Sequence, residues 1–285
     1  MDSYQTSQKK EISALSVRPS LFLDKSIVIY GASGTGKTII VKNIMKELRQ
    51  HIDVAIIVSP SEPSNHAYGD IINPAFIHYQ LFLTDPTAKK QSDKSGAVYF
   101  LKTICEFQKT RGGRYNQVNQ QDVIEKVYNR LSRSIRKENQ IQLDEAHEKK
   151  ESALREIGKC KDPVVRLEKT KQVNHIYQNI INGIYKKSIE LNRDDLWKEE
   201  GLSESEKICI TFINLNPRML LIFDDCAAQL KQISATEPFR QLFYQNRHSF
   251  ITTVLCCQDD TDLPANLRKN AYISFFTDPI VCISN

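Results

Sequence analysis

The sequence predicts an α/β fold, with a mainly parallel central sheet flanked by helices and a helical insertion. Three observations lead there. Five apolar runs are short, β-branched and well separated: SIVIY (26–30), VAIIVS (54–59), MLLIF (219–223), ITTVLCC (251–257) and AYISFF (271–276). Runs that are apolar throughout, rather than alternating, belong to strands covered on both faces, as in parallel sheets under helices. Between the first two runs, KTIIVKNIMKELRQH places Ile40, Ile44 and Leu48 at helical spacing, so strand, helix and strand alternate from the start. From about residue 97 to 208, by contrast, polar helix formers dominate and such runs vanish.

Taken in order, residues 1–20 are polar and read as a loosely held arm. Residues 21–285 then form one domain carrying the insertion at about 97–208. IHYQLFL (77–83) is a candidate extra edge strand. Within the insertion, Gly112–Gly113 and Asp162–Pro163 mark breaks between helices, and Arg130, Arg133 and Lys137 repeat at helical spacing as a solvated stripe.

A chain of 285 residues with 40% hydrophobic residues can bury a sizeable core, which excludes wholesale disorder. The net charge of +5 suits contact with polyanions without requiring it. Seven cysteines, at 105, 160, 209, 226, 256, 257 and 282, form no CxxC pair, and most lie in apolar runs. That is the distribution of reduced, buried thiols and points to a reducing compartment. The N-terminus lacks the apolar core of a signal peptide, and no apolar run approaches the about 20 residues that span a bilayer. The expectation is a soluble protein with no membrane partner.

The first apolar run leads into Gly31, Ala32, Ser33, Gly34, Thr35, Gly36, Lys37 and Thr38, a full match to GxxxxGK[ST] between a strand and a helix that opens with Ile39. Glycines at 31, 34 and 36 permit φ > 0 and close approach to phosphate oxygens. Backbone amides at the loop and helix N-terminus point at the anion. Lys37 is placed to neutralise the β- and γ-phosphates of ATP, and the Thr38 hydroxyl to hold Mg²⁺.

The run MLLIF ends in Asp224 and Asp225. A buried strand that ends in an acid sets the carboxylate at the sheet's C-terminal edge, where Asp224 can hold the Mg²⁺ shell. Asp225 is the candidate general base for the attacking water. ITTVLCC ends in Gln258, whose amide can bond both the γ-phosphate and that water. Together these describe a P-loop NTPase of the additional-catalytic-acid type.

GASGTGKT, LLIFDD, RHSFITTVLCCQ and LPANLRKN, in that order, resemble the poxvirus-type genome-packaging ATPases of large double-stranded DNA viruses and virophages, within the FtsK/HerA superfamily. The resemblance covers roughly 20–85 and 205–280 and stops short of the helical middle. It implies an ATPase ring of identical subunits that pumps double-stranded DNA, irrespective of sequence, into a preformed capsid. Capsid proteins at the packaging vertex are then possible partners, and the virion or the host-cell cytoplasm the expected location. It also implies an arginine acting in trans on the neighbour's γ-phosphate, either Arg247 of QNRHSF or Arg268 of LPANLRKN, the latter read as lying in a loop. One departure is the Asp-Asp pair, where many relatives use Asp-Glu.

A motor indifferent to sequence grips phosphates. The candidate grip is KTRGGRYNQ (109–117), with Lys109, Arg111 and Arg114 on a loop between two helices. Other readings of the chain are a helicase-type translocase of another lineage, a switch that binds ATP and assembles with little turnover, and a small-molecule kinase with the insert as its lid.

Overall fold

The computed structural model describes residues 16–87, 90 and 92–277. The sheet has six strands: β1 (Ser26–Tyr30), β2 (Val54–Val58), β3 (Ile77–His78), β4 (Met219–Phe223), β5 (Ile251–Cys257) and β6 (Ile273–Phe276). Their order is β3-β2-β4-β5-β1-β6, and every pairing is parallel. β5 therefore lies between the strand that leads into the glycine-rich loop and the strand that ends in two acids. Tyr30 pairs with Cys257 and Phe223 with Leu255, so the three strands end at one edge.

The helices, in chain order, are α1 (Pro19–Phe22), α2 (Lys37–Leu48), α3 (Glu62–Asn65), α4 (Asp93–Val118), α5 (Gln121–Arg130), α6 (Arg133–Gly158), α7 (Pro163–Leu191), α8 (Arg193–Leu196), α9 (Glu204–Phe212), α10 (Ala227–Ile233), α11 (Glu237–Tyr244), α12 (Asn246–Ser249) and α13 (Ala265–Asn270). The chain divides into two compact units: a sheet unit, Met1–Cys105 with Arg218–Asn285, and a helical unit, Glu106–Pro217. No helix among the described residues is long and apolar enough to cross a membrane.

In the sheet unit every residue of β1, β4 and β5 is buried. Alternate residues serve opposite faces. Val28, Tyr30, Leu221, Phe223, Leu255 and Cys257 pack with Phe100 and Leu101 of α4 and with α10, α11 and α13. Ile27, Ile29, Leu220, Ile222, Val254 and Cys256 pack with Val41, Ile44, Met45 and Leu48 of α2. Ile40, expected on that buried stripe, is only half-buried, and Val41 takes its place. The edge strand is shorter than IHYQLFL suggests. Beyond His78 the chain leaves the sheet, exposing Tyr79 and turning Leu81 into the core beside α4.

The helical unit has its own core, centred on Ile124, Val127, Leu143, Ile189, Cys209 and Ile210. Asp162 behaves as its Asp-Pro context predicts, its Oδ1 accepting from the Val164 and Val165 amides at the start of α7. Two expectations are corrected. Gly112–Gly113 does not break the chain, because α4 runs through it. Glycine costs about 1 kcal/mol in a helix interior. Contacts on either side offset this: Arg111 donates to the Asn216 carbonyl, Gln108 to that of Pro217, and the Arg114 guanidinium stacks 4.7 Å from the Phe212 ring centre. Nor do Arg130, Arg133 and Lys137 share one helix. Leu131 turns into the core and Ser132 caps α6, so Arg130 ends α5 and Arg133 begins the next helix.

Candidate nucleotide site

The glycine-rich loop leaves β1 with the Gly31 amide bonded to the Cys257 carbonyl at 3.1 Å. Gly34 and Gly36 adopt φ of 80° and 97°, conformations that cost any side chain, and Gly36 caps α2. At Gly31 space is the constraint. A Cβ there would lie 1.7 Å from Oγ1 of Thr277, which itself donates to the Tyr30 carbonyl. Ala32, Ser33 and Gly34 are exposed, Thr35 and Thr38 half-buried, and Ile39 is 66% exposed beside them.

Lys37 is buried, and its ammonium donates to the carbonyls of Gly31 at 2.6 Å and Ala32 at 2.9 Å. Two carbonyl dipoles thus compensate a charge that burial would otherwise penalise. An arriving phosphate offers the same ammonium a full negative charge in exchange.

Asp224 is the first residue past β4, its amide bonded to the Val58 carbonyl at 2.9 Å. The residue is only 3% exposed. Its Oδ2 accepts from the Tyr68 hydroxyl at 2.7 Å. Burial pushes the Asp224 carboxyl above the usual carboxylate range, and the neighbouring Asp225 adds to this. The Tyr68 and Cys256 hydrogen bonds and the Lys37 charge pull the other way. Burial, then the Asp224 charge, hold the Tyr68 phenol far above its ordinary value, so it stays a donor.

Asp225 faces solvent with φ 57°, a left-handed conformation that Asp tolerates better than most residues. Gln258, also exposed, is the first residue past β5, and its amide and that of Asp259 are held by Oδ2 of Asp262 at 2.9 and 3.0 Å. Lys37, Thr38, Asp224, Asp225 and Gln258 therefore gather at one edge of the sheet.

The two arginines lie elsewhere. Arg247 sits in α12, just before β5 and so at the opposite edge from Gln258, lining a cavity of about 540 Å³ with Lys25, His248, Lys269 and Tyr272. Arg268 lies in helix α13 rather than in a loop, because Pro264 and the ANLRKN stretch start a helical turn. Lys109, Arg111 and Arg114 belong to the helical unit, along α4. Lys109 is exposed there, while Arg111 and Arg114 make the contacts that hold the helix through its glycines.

Nothing in the sequence singled out Tyr68, Glu62, Cys256 or Thr277. Tyr68 lies in the β2–β3 connection, 156 residues from the carboxylate it touches. Glu62, 3% exposed, holds that connection by accepting from the amides of Tyr68 at 2.9 and 3.0 Å and of Gly69 at 2.8 Å.

The family described as AAA domain matches residues 21–178. The chain is 40% identical over 280 residues to the uncharacterized protein B354L of African swine fever virus isolates from Kenya and Namibia. That match covers 98% of this chain and 74% of the viral protein. A second relative is the uncharacterized protein 075L of Invertebrate iridescent virus 6, 32% identical over 100 residues, or 32% of this chain and 39% of that one. No solved structure matches the chain significantly. With an all-parallel sheet, a complete phosphate loop and these matches, the chain belongs to the AAA-domain family of P-loop proteins.

Proposed function

We propose that the protein is an ATP-hydrolysing motor that moves double-stranded DNA into a preformed viral capsid, acting as a ring of identical subunits with Mg²⁺. The observation that carries the hydrolytic part is the buried Asp224 beside the exposed Asp225 at the end of β4, with β5 between it and the phosphate loop's own strand. Two acids in unlike settings suit two roles.

The donors fit Mg²⁺, which takes oxygen ligands and is commonly held by one or two carboxylates together with substrate phosphates. The Thr38 hydroxyl and the Asp224 carboxylate supply oxygens, and burial penalises a carboxylate charge that a cation would offset. When bound, the ion neutralises charge developing on the phosphates. The chain's own groups do the rest. Lys37 exchanges its two carbonyl partners for phosphate oxygens. Asp225, free of the burial that constrains Asp224, takes the proton of the attacking water. Gln258, one strand over, orients that water.

The packaging role rests on the resemblance of the motifs and on the viral relatives. Its further elements are proposals of the same standing: an arginine from a neighbouring subunit (Arg247 ahead of Arg268), phosphate contacts on DNA by Lys109, Arg111 and Arg114, capsid partners at the packaging vertex, and action in the virion or at the cytoplasmic assembly site. Arg247 is favoured because its edge of the sheet is opposite Gln258, as head-to-tail packing of subunits requires.

The test is ATP turnover by the purified protein with no DNA, with single-stranded and with double-stranded DNA, beside sizing with a non-hydrolysable analogue. Stimulation by double-stranded DNA and assembly with the analogue are expected. Stimulation by single strands alone would indicate a helicase-type translocase. Assembly without turnover would indicate a switch.

A further inference from the structure

We propose that Tyr68 positions Asp224 for the magnesium ion, making the β2–β3 connection a working part of the metal site. This rests on the nucleotide reading above. Tyr68 is fully buried, and its hydroxyl touches the carboxylate expected to meet the ion. It donates to Oδ2 of Asp224 at 2.7 Å. This bond ties the β2–β3 connection to the end of β4, across 156 residues of sequence.

The tyrosine is anchored at both ends. Its ring packs among Ile77, Ile222 and Cys256 in the core beneath the sheet. Its backbone amide is held by both carboxylate oxygens of Glu62, itself buried, with a third bond to Gly69. Phenylalanine would fill the same space, so packing does not explain the hydroxyl. A carboxylate with one oxygen held by a fixed phenol cannot spin about its Cβ–Cγ bond. Its plane is set before any cation arrives. Groups that orient a metal ligand in this way commonly contribute 10–100-fold to metal affinity.

The experiment measures binding of a fluorescent ATP analogue to the full chain, in EDTA and across a Mg²⁺ titration, for the wild type and Tyr68→Phe, with thermal melting alongside. Affinity in EDTA should stay within about twofold, because the phenol touches no part of the phosphate loop's backbone cradle. The Mg²⁺ concentration at half-saturation should rise on the order of tenfold. In an Asp224→Asn background, Tyr68→Phe should add nothing further, since the two residues act as a unit. A Mg²⁺ requirement unchanged by Tyr68→Phe overturns the inference. A lowered requirement overturns it too, because the phenol would then be excluding the ion. Should Tyr68→Phe fail to fold, Glu62→Gln loosens the clamp on the Tyr68 amide while keeping the phenol. A smaller rise is expected there, and no rise overturns the proposal. A wild-type chain that binds no nucleotide overturns the nucleotide reading and this inference with it. Wild-type binding with an unshifted Tyr68→Phe titration overturns this inference alone.

Discussion

Each unit of the molecule buries a carboxylate, and the two are moved in opposite directions. In the helical unit, Glu206 is pulled down to about 2, first by its hydrogen bond from Arg130 and then by those from Ser203. Arg130 reaches it at 2.6 Å, and Ser203 completes a capping box with it at the start of α9. In the sheet unit, Asp224 is pushed up by burial, with two neutral donors and a more distant ammonium failing to offset it. Glu206 has what a carboxylate needs from its own chain. Asp224 does not, and a cation brought by a ligand would supply it. A buried acid that is satisfied is framework, and one left short of positive charge is a place for chemistry.

Four substitutions would break or sharpen that contrast. The largest effect is expected from Asp225→Asn, which should lower ATP turnover by about 10²–10⁴-fold while leaving nucleotide binding and melting temperature in place. Undiminished turnover would remove Asp225 from the chemistry. Asp224→Asn should lower turnover by about 10²–10³-fold, taking the loss of one transition-state electrostatic contact as the guide. Its melting temperature at neutral pH should be unchanged or higher. The sign follows from the raised Asp224 value: the protonated form favours the fold at low pH, and that contribution is lost as pH rises through the folded value. A neutral amide at 224 removes the penalty, so a marked fall in stability would contradict the contrast.

Ile124→Ala, in the centre of the helical core, should destabilise that unit by about 2–5 kcal/mol, read by chemical denaturation. A two-step unfolding curve would show that the two units melt separately. The smallest effect is expected for Glu206→Gln, a melting temperature a few degrees lower at pH 7 with turnover within about twofold. Because the Glu206 value is depressed, its contribution is present above the ordinary carboxylate value and lost as pH falls from about 4.5 towards about 2. The gap between variant and parent should close over that window. A gap that persists below it would mean Glu206 acts through packing instead of charge.

The parts of the site that were legible before the structure are those in which consecutive residues do the work. Eight consecutive residues make the glycine-rich loop, and a strand of five apolar residues ends in its acid, so chain order alone announces both. Tyr68 could not be read, because its meaning lies in a residue brought beside it by the pairing of β2 with β4. The glycine pair misled for the opposite reason. Local propensity favoured a break at Gly112–Gly113, and contacts to residues 212 and 216, about a hundred positions later, overrode it. Arg130 reads as a solvated cation in the sequence because its partner Glu206 lies 76 residues away. The strands themselves were plain, since burial on both faces leaves an unbroken apolar run in the sequence.

Gly31 and Thr277 meet where β1 and β6 end, with no room between them for a methyl group. The floor of the phosphate loop is therefore laid by β6, the last strand among the described residues. A polypeptide emerging from the ribosome would have its glycine-rich loop complete some 240 residues before the support beneath it exists. Nucleotide binding would then report that the sheet has closed, and a chain shortened before Ile273 would lose the nucleotide while most of its core stayed intact.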